Sequence, residues 1–338
     1  MSTTAGVFSE TQLFNQILRA DEIMWDERIK QQFIPKYDTL MALMGLQNAR
    51  VFEPISRSAK EFDVEIEWMN TCGVEVGDNE DCVIGGEEAS TNVEVYTLDN
   101  VKTVNFTVNE NSFKDNRFDK EEAIAKLLLR ADKQLTEWLN NRAIAVLNLN
   151  LGTNAYTGGK GTVSGTDTYI EAPYWNADLM GYMTKTSILN RFSAPSLISG
   201  NNLYDQAWLA QYNAGNADGK GAQAMFGALP IYFDLFNIDT VNDPSAVTYM
   251  VEQGAVAFAH RTINPDAPEV VNGLFTRYKM ASRFMPGISY DVYYTPECDS
   301  DRVKHSWKVK LNADMFVNPV GCDETNKGIL RFICGSES

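Results

Sequence analysis

The segment from residue 119 to residue 151 carries the longest helical pattern in this chain. It opens with Asp119-Lys120-Glu121-Glu122, an Asp-x-x-Glu capping box whose side chains pair with free backbone amides. Apolar or small residues then recur three or four positions apart, at Ile124, Leu128, Ala131, Leu135, Trp138, Ala145 and Leu149, except that Arg142 takes the place between Trp138 and Ala145. The pattern predicts one amphipathic helix that ends before Gly152. About thirty residues at ~1.5 Å each give a rod of roughly 45 Å, which favours an architectural part over a catalytic one.

The apolar stripe of this helix has two interpretations. It could form the seam of a coiled coil, or it could pack against the helix's own domain. Arg142 interrupts the stripe, and sequence of globular composition lies on both sides of the helix. Both features favour packing against the same chain.

A strand pattern precedes the helix. Across residues 61–68 every even position is apolar and every odd position is acidic, whereas residues 91–108 alternate more loosely. Residues 70–90, between the two segments, are rich in glycine and acid. Together they predict a long two-stranded ribbon with an acidic tip. An isolated ribbon is only marginally stable in water, so it must lie on its parent domain or on a neighbouring molecule.

Charge is unevenly distributed along the chain, whose net charge is −16. Residues 51–100 contain thirteen Asp and Glu against Arg57 and Lys60, a net charge of −11. Residues 277–310 contain seven Arg or Lys and four Asp or Glu, a net charge of +3. The two stretches are either ordinary solvated surface or complementary patches that meet between copies. The strong negative charge argues against a dedicated nucleic-acid-binding protein, because phosphate binding needs concentrated positive charge.

The sequence offers no recognisable catalytic or metal-binding motif. Its two histidines, His260 and His305, lie in different parts of the chain, and there is no Gly-x-Ser-x-Gly elbow. Residues 158–162 resemble a phosphate loop, but Asn154 stands where the first glycine should be. The acidic run at 78–81 lacks the spacing of a calcium loop. We therefore expect no catalytic residue, no cofactor and no metal site, although a carbohydrate-active enzyme with paired carboxylates stays open as an alternative.

The cysteines and the N-terminus indicate the compartment. Five cysteines, at positions 72, 82, 298, 322 and 334, are odd in number and include no Cys-x-x-Cys pair, which fits a reducing cytoplasm. Residues 1–5 lack a basic region followed by an apolar core, so no secretory signal is predicted. No apolar run approaches the ~20 residues that span a bilayer, so we expect no membrane association.

The rest of the chain mixes helices and strands. Residues 8–45 have a helical pattern that Pro35 interrupts, and further helices are predicted at 176–192 and 204–212. Residues 152–168 are interpreted as a flexible loop. Strands are predicted at residues 197–198, 228–233, 249–251, 255–259, 277–283, 289–295, 306–312 and 328–333. Because the two kinds of element do not alternate strictly, the fold class is α+β.

This order of elements resembles the major capsid protein of tailed double-stranded-DNA bacteriophages, the Hong Kong 97-type capsid fold. The resemblance covers nearly the whole chain and includes a strand like the family's Gly-x-Pro strand at residues 225–233. It implies five parts: an N-terminal arm at 1–50, an extended two-stranded loop at 51–115, a spine helix with peripheral domain at 116–194, an axial domain at 195–275, and return strands of the peripheral domain at 276–338.

The resemblance also implies a function. It implies a structural, non-enzymatic virion protein that self-assembles as hexamers and pentamers into an icosahedral shell around double-stranded DNA, without sequence-specific contact. A separate scaffolding protein and a portal are implied partners, because the chain has no room for a cleaved scaffolding segment. Assembly would take place in the bacterial host cytoplasm. The family's covalent crosslink through a loop-tip lysine looks absent, because residues 70–90 contain no Lys.

The contacts between copies are expected at the ribbon and the basic strands. We expect the ribbon's apolar face to be uncovered in a lone molecule and to be covered by a neighbour in the shell, while the acidic ribbon pairs with the basic strands. The candidate contact residues are Phe62, Val64, Ile66, Trp68, Arg277, Lys279, Arg283, Lys304, Lys308 and Lys310. The alternatives that share some of these features are an encapsulin-type compartment and a phage tail or adhesion component.

Overall fold

The computed structural model describes fourteen segments of the chain. They are residues 12–13, 15, 37–52, 63–70, 90–109, 120–156, 160–174, 177–200, 203, 224–226, 229–234, 247–299, 302–319 and 327–335. Several sequence predictions lie outside these segments: most of the N-terminal arm, Phe62, the ribbon tip, the capping residue Asp119 and the helix at 204–212.

Three α-helices lie within the described segments: α1 (Asp38–Leu46), α2 (Lys120–Leu149) and α3 (Ala177–Leu189). The first strands are β1 (Arg50–Phe52), β2 (Asp63–Asn70), β3 (Ser90–Thr97), β4 (Val101–Asn109), β5 (Gly161–Ser164), β6 (Asp167–Ile170), β7 (Ser196–Ser199) and β8 (Ala224–Phe226). The remaining strands are β9 (Leu229–Phe233), β10 (Val247–Val251), β11 (Val256–His260), β12 (Glu269–Val271), β13 (Phe275–Ala281), β14 (Ser289–Asp299), β15 (Arg302–Val317) and β16 (Ile329–Cys334).

The strands form three sheets. A ribbon sheet has the order β1-β2-β3, and a seven-stranded sheet has the order β5-β6-β16-β10-β7-β9-β8. The third, which we call the six-stranded sheet, has five strands in the order β11-β15-β14-β13-β12. Its sixth strand, β4, pairs with β15 along the edge opposite β14. At sixteen residues β15 is the longest described strand, and it pairs with β4, β14 and β11 along its length.

The predicted second ribbon strand, residues 91–108, is two strands in different sheets. β3 pairs with β2 in the ribbon sheet, whereas β4 pairs with β15 in the six-stranded sheet. Short-range hydrogen bonds, from Asp99 N to Thr97 O and from Val101 N to Asp99 O, turn the chain between them. The loose alternation of this segment therefore marks a change of sheet rather than one long strand.

One further prediction needs correction. Residues 161–170 form the hairpin β5-β6, turning at Gly165 with φ +60°, where a flexible loop was predicted. The six-stranded sheet takes strands from both sides of residue 275, because it contains β11 and β12 as well as β13, β14 and β15. The last strand, β16, pairs with β10 in the seven-stranded sheet. Sheet pairing depends on long-range register, which local patterns do not contain.

The predicted long helix is confirmed as α2, and its stripe packs on its own chain from Ile124 to Leu135, whereas Leu149 at the end of the stripe is 74% exposed. Ile124, Leu128 and Leu135 are buried in one core with Val292 and Trp307 of the six-stranded sheet. Arg142, which breaks the stripe, is bound by Asp314 on β15, with Nε 3.1 Å from Oδ1. The interrupting charge is thus an anchor to the sheet, which supports packing within the chain over a coiled-coil seam.

A buried hydrogen-bond network joins α1, α2 and the seven-stranded sheet. Asp234, directly after β9, accepts from Thr39 Oγ1 at 2.7 Å and from Asn140 Nδ2 at 2.8 Å. Asn140 Oδ1 in turn accepts from Leu40 N at 2.9 Å. The first turn of a helix has free amides, and here two of them find acceptors on other elements. The three parts are therefore fixed to one another at one point.

Candidate interaction surfaces

The predicted apolar face of the ribbon is buried by the chain itself. Val64, Ile66 and Trp68 are each at most 1% exposed, and they pack with Leu98 and with two small residues of β11, Ala257 and Ala259. Small side chains on β11 leave room for the larger ones on β2. The expectation that this face is uncovered in a lone molecule is therefore wrong. Phe62, the fourth residue of that face, lies outside the described segments.

Polar contacts fix the base of the ribbon to the same surface. The Arg261 guanidinium donates to Asp63 O at 2.8 Å, and Thr97 Oγ1 donates to Asp63 Oδ1 at 2.7 Å. Tyr96 stacks at a tilt on Phe316 of β15, with ring centroids 4.4 Å apart. These contacts hold one face of the ribbon sheet against the six-stranded sheet.

The opposite face of the ribbon sheet points away from the body and is partly apolar. Residues paired across antiparallel strands share a face, and the register pairs Glu65 with both Phe52 and Val95, and Glu67 with Val93. Phe52 is 46% exposed, Val93 54% and Val95 60%. Neither glutamate has an ion-pair partner among the described residues. We call Phe52, Glu65, Glu67, Val93 and Val95 the outer ribbon face.

Three of the predicted basic contact residues already have acidic partners within the chain. Arg277 pairs with Glu269 at 2.8 Å. Lys279 pairs with Asp266 at 3.3 Å. Lys304 pairs with Glu297 at 3.8 Å. Such exposed pairs contribute only about 0–1 kcal/mol each, but they reduce the net positive charge that this surface presents to a partner.

Arg283 lies in the turn between β13 and β14, away from these strand pairs. Its backbone N donates to Asp132 Oδ2 of α2 at 2.6 Å, and Ser282 Oγ and Tyr290 OH donate to Asp132 Oδ1, each at 2.7 Å. Asp132 is fully buried, and this burial raises its pKa despite the hydrogen bonds. The backbone of Arg283 therefore helps to fix the turn to α2.

The last two predicted residues, Lys308 and Lys310, line a shallow cup with two aromatic rings. The cup has a volume of about 270 Å³ and is lined by Phe275, Tyr293, Lys308 and Lys310. The Phe275 and Tyr293 ring centroids are 6.1 Å apart. Lys308 lies between Tyr293 on β14 and Asn105 on β4. It is exposed and has no ion-pair partner in the part of the chain that the structure describes.

Sequence reasoning missed one projecting feature, the hairpin of β12 and β13. It turns at Asn272 and Gly273, whose φ angles are +50° and +67°, and Leu274 N donates to Val271 O at 3.0 Å. Val270 and Leu274 beside the turn are 51% and 68% exposed. Asn-Gly between apolar residues is the strongest short-range hairpin signal, so the sequence did contain the information.

The two histidines lie in separate hydrogen-bonded settings. His260 Nε2 lies 2.8 Å from Ser289 O, and burial lowers its pKa, whereas His305 Nδ1 lies 2.8 Å from Tyr294 OH. Across the described segments, no group of three or more His, Cys, Asp or Glu is placed to hold a metal ion. No helix in those segments is both long and apolar enough to cross a membrane.

Comparison with solved structures identifies the fold. The sequence matches no family model and no curated protein. The chain is similar to a structure described as the capsid of Ralstonia phage GP4, with a TM-score of 0.50 and 10% identity over 85% of this chain and 87% of that one. It is also similar to the Cyanophage Pam1 capsid asymmetric unit, with a TM-score of 0.48 and 11% identity over 99% and 98% of the two chains. The first likeness shows the fold alone, and the predicted α+β capsid fold is confirmed.

Proposed function

We propose that this protein is a structural subunit that assembles as hexamers and pentamers into an icosahedral shell around double-stranded DNA. The observation that carries the proposal is the fold shared with the capsid of Ralstonia phage GP4 over 85% of this chain. Fold alone does not determine function, so the surfaces of the chain must also suit an assembly.

The surfaces and the interior support a structural role. The outer ribbon face and the cup are two exposed patches with apolar side chains, which suits contacts with other copies. Meanwhile, the buried carboxylates of Asp132 and Asp234 accept hydrogen bonds from other elements. They connect α2 to a turn of the six-stranded sheet and to the seven-stranded sheet.

The proposed partners follow from the same role. Copies of this chain are the main partner, together with a separate scaffolding protein and a portal. The net charge of −16 disfavours tight or sequence-specific binding of DNA, so the genome would be enclosed rather than read. The proposed location is the virion capsid, with assembly in the cytoplasm of a bacterial host.

The test is electron microscopy of the expressed protein together with analysis of what the particles contain. We expect closed, isometric shells, and nuclease-resistant DNA in particles recovered with the other phage proteins. Particles that hold an enzyme and no nucleic acid would favour an encapsulin-type compartment. Tubes or trimers would favour a tail or adhesion component. Turnover of a glycan that is lost on changing one carboxylate would favour the carbohydrate-active enzyme.

A further inference from the structure

A buried histidine holds the first residue of α2 against the six-stranded sheet. His305 on β15 is fully buried, and its Nε2 lies 3.1 Å from Lys120 Nζ at the start of α2. Its other ring nitrogen, Nδ1, lies 2.8 Å from Tyr294 OH on β14. The imidazole of His305 therefore connects α2 to two neighbouring strands of the sheet.

These contacts determine the protonation state of the imidazole. A lysine ammonium has three N–H donors and no acceptor, so Lys120 Nζ donates and His305 Nε2 accepts. A ring nitrogen that accepts a hydrogen bond carries no proton, so the single proton of the neutral ring is on Nδ1 and is donated to Tyr294 OH. His305 is therefore neutral while this contact is closed.

A second proton on the ring is unfavourable for three reasons. It would stand on Nε2, where it would replace the hydrogen bond with a repulsion between two cations. Lys120 is also the first residue of α2, and the partial positive charge of a helix N-terminus disfavours a nearby cation. Finally, the ring lies beside Tyr294 and Trp307, with ring centroids 5.9 and 6.1 Å away, and a buried charge loses its hydration.

The other charged groups on the neighbouring elements are less directly placed. They are Glu121 and the ion pair of Glu122 with Lys126 on α2, and the ion pair of Lys304 on β15 with Glu297 on β14. Successive side chains of a strand point to opposite sides, so Lys304 is separated from His305 by the sheet. On β4 the residue opposite His305 is the buried Val108. The Lys120 ammonium, by contrast, touches the ring.

We propose that Lys120 and His305 form an acid-sensitive switch that holds the start of α2 on the six-stranded sheet. An imidazole that is open to water takes up a proton near pH 6.5, whereas the closed contact opposes that proton. Above this pH the contact is retained, and below it the proton favours the open form, in which Lys120 and His305 are apart. The opening is local, because Leu135 in the core and the ion pair of Arg142 with Asp314 hold the rest of α2.

Amide hydrogen exchange at two pH values tests the switch. The amides of residues 124–127 donate to the carbonyls of the first helical turn, so they report its opening. After correction for the intrinsic effect of pH, their exchange should be up to about thirtyfold faster at about pH 5 than at about pH 8, because pH 5 lies about 1.5 units below the protonation of a free imidazole. Amides of residues 135–140, in the middle of α2, should show no such increase.

Two variants and a matched control assign the effect. His305→Gln removes the titrating ring and should abolish the acid-dependent increase. Lys120→Met removes the ammonium, so a protonated ring is tolerated in the closed form and the increase should shrink by at least about threefold. The control is His260→Gln, which changes the other histidine of the chain and should keep the wild-type increase.

Thermal unfolding at neutral pH shows which variants fold. Because Lys120 is only half-buried, Lys120→Met decides the question if His305→Gln does not fold. The switch is overturned if the wild type shows no acid-dependent increase at residues 124–127, or if the full increase persists in Lys120→Met or in His305→Gln. Each of these outcomes concerns the fold of one subunit and leaves the proposed shell unaffected.

Discussion

Replacing Trp68 by Ala should release the base of the ribbon from the body of the subunit. Trp68 is 1% exposed and packs among Ala257, Ala259 and Ile66. The two alanines are too short to fill the space that the indole leaves, so the loss should lie within the range of about 3–5 kcal/mol seen for buried Trp to Ala changes. Val95→Ala, on the outward side of the same sheet, should change stability by less than about 0.5 kcal/mol.

Amide hydrogen exchange resolves this change element by element. A local loss of at least 3 kcal/mol corresponds to exchange that is more than about a hundredfold faster in β2 and β3, because 1.4 kcal/mol is a factor of ten. Amides in the middle of α2 should keep their wild-type protection, since Leu128 and Leu135 belong to a different core cluster. The reasoning is refuted if Trp68→Ala leaves exchange in β3 unchanged, or if Val95→Ala accelerates it equally.

Two further predictions concern the buried carboxylates. Asp234→Ala leaves the Thr39 hydroxyl and the Asn140 amide without their hydrogen-bond acceptor. The free energy of unfolding should fall by roughly 3 kcal/mol, at about 1–3 kcal/mol for each unpaired donor. Urea unfolding measures this loss, and a loss below about 1 kcal/mol would contradict the role of Asp234 in joining α1, α2 and the seven-stranded sheet. Burial raises the pKa of Asp132 above its usual 3.8, so this group contributes most to stability below pH 3.8 and less as the pH rises through the raised pKa. The free energy of unfolding of the wild type, relative to Asp132→Asn, should therefore fall as the pH rises from 3.8; a difference that grows with pH would contradict this sign.

The sequence predicted the elements better than their partners. The stripe of α2 and most of the strands were predicted close to their observed bounds, because their residues repeat with the period of the element itself. The division of residues 91–108 between two sheets was not predicted, since β3 and β4 have similar local alternation and differ only in which distant strand they pair with. The pairing of β16 with β10 was not predicted for the same reason.

The candidate surfaces show the same limit. The alternation of residues 61–68 correctly indicated a strand with one apolar face, but it could not show that Ala257 and Ala259, almost two hundred residues later, would cover that face. The charge count likewise found the basic strands but not the acidic partners that engage Arg277, Lys279 and Lys304. The sequence pattern of a segment indicates which of its side chains are buried or paired. The residues that bury them or pair with them are determined by the fold.

Cryo-electron microscopy of the purified assembly tests the central claim most directly. We predict a single closed shell in which this chain forms both fivefold and sixfold rings. A particle without fivefold and sixfold rings, or a protein that forms only open tubes, trimers or monomers under all assembly conditions, would contradict the account.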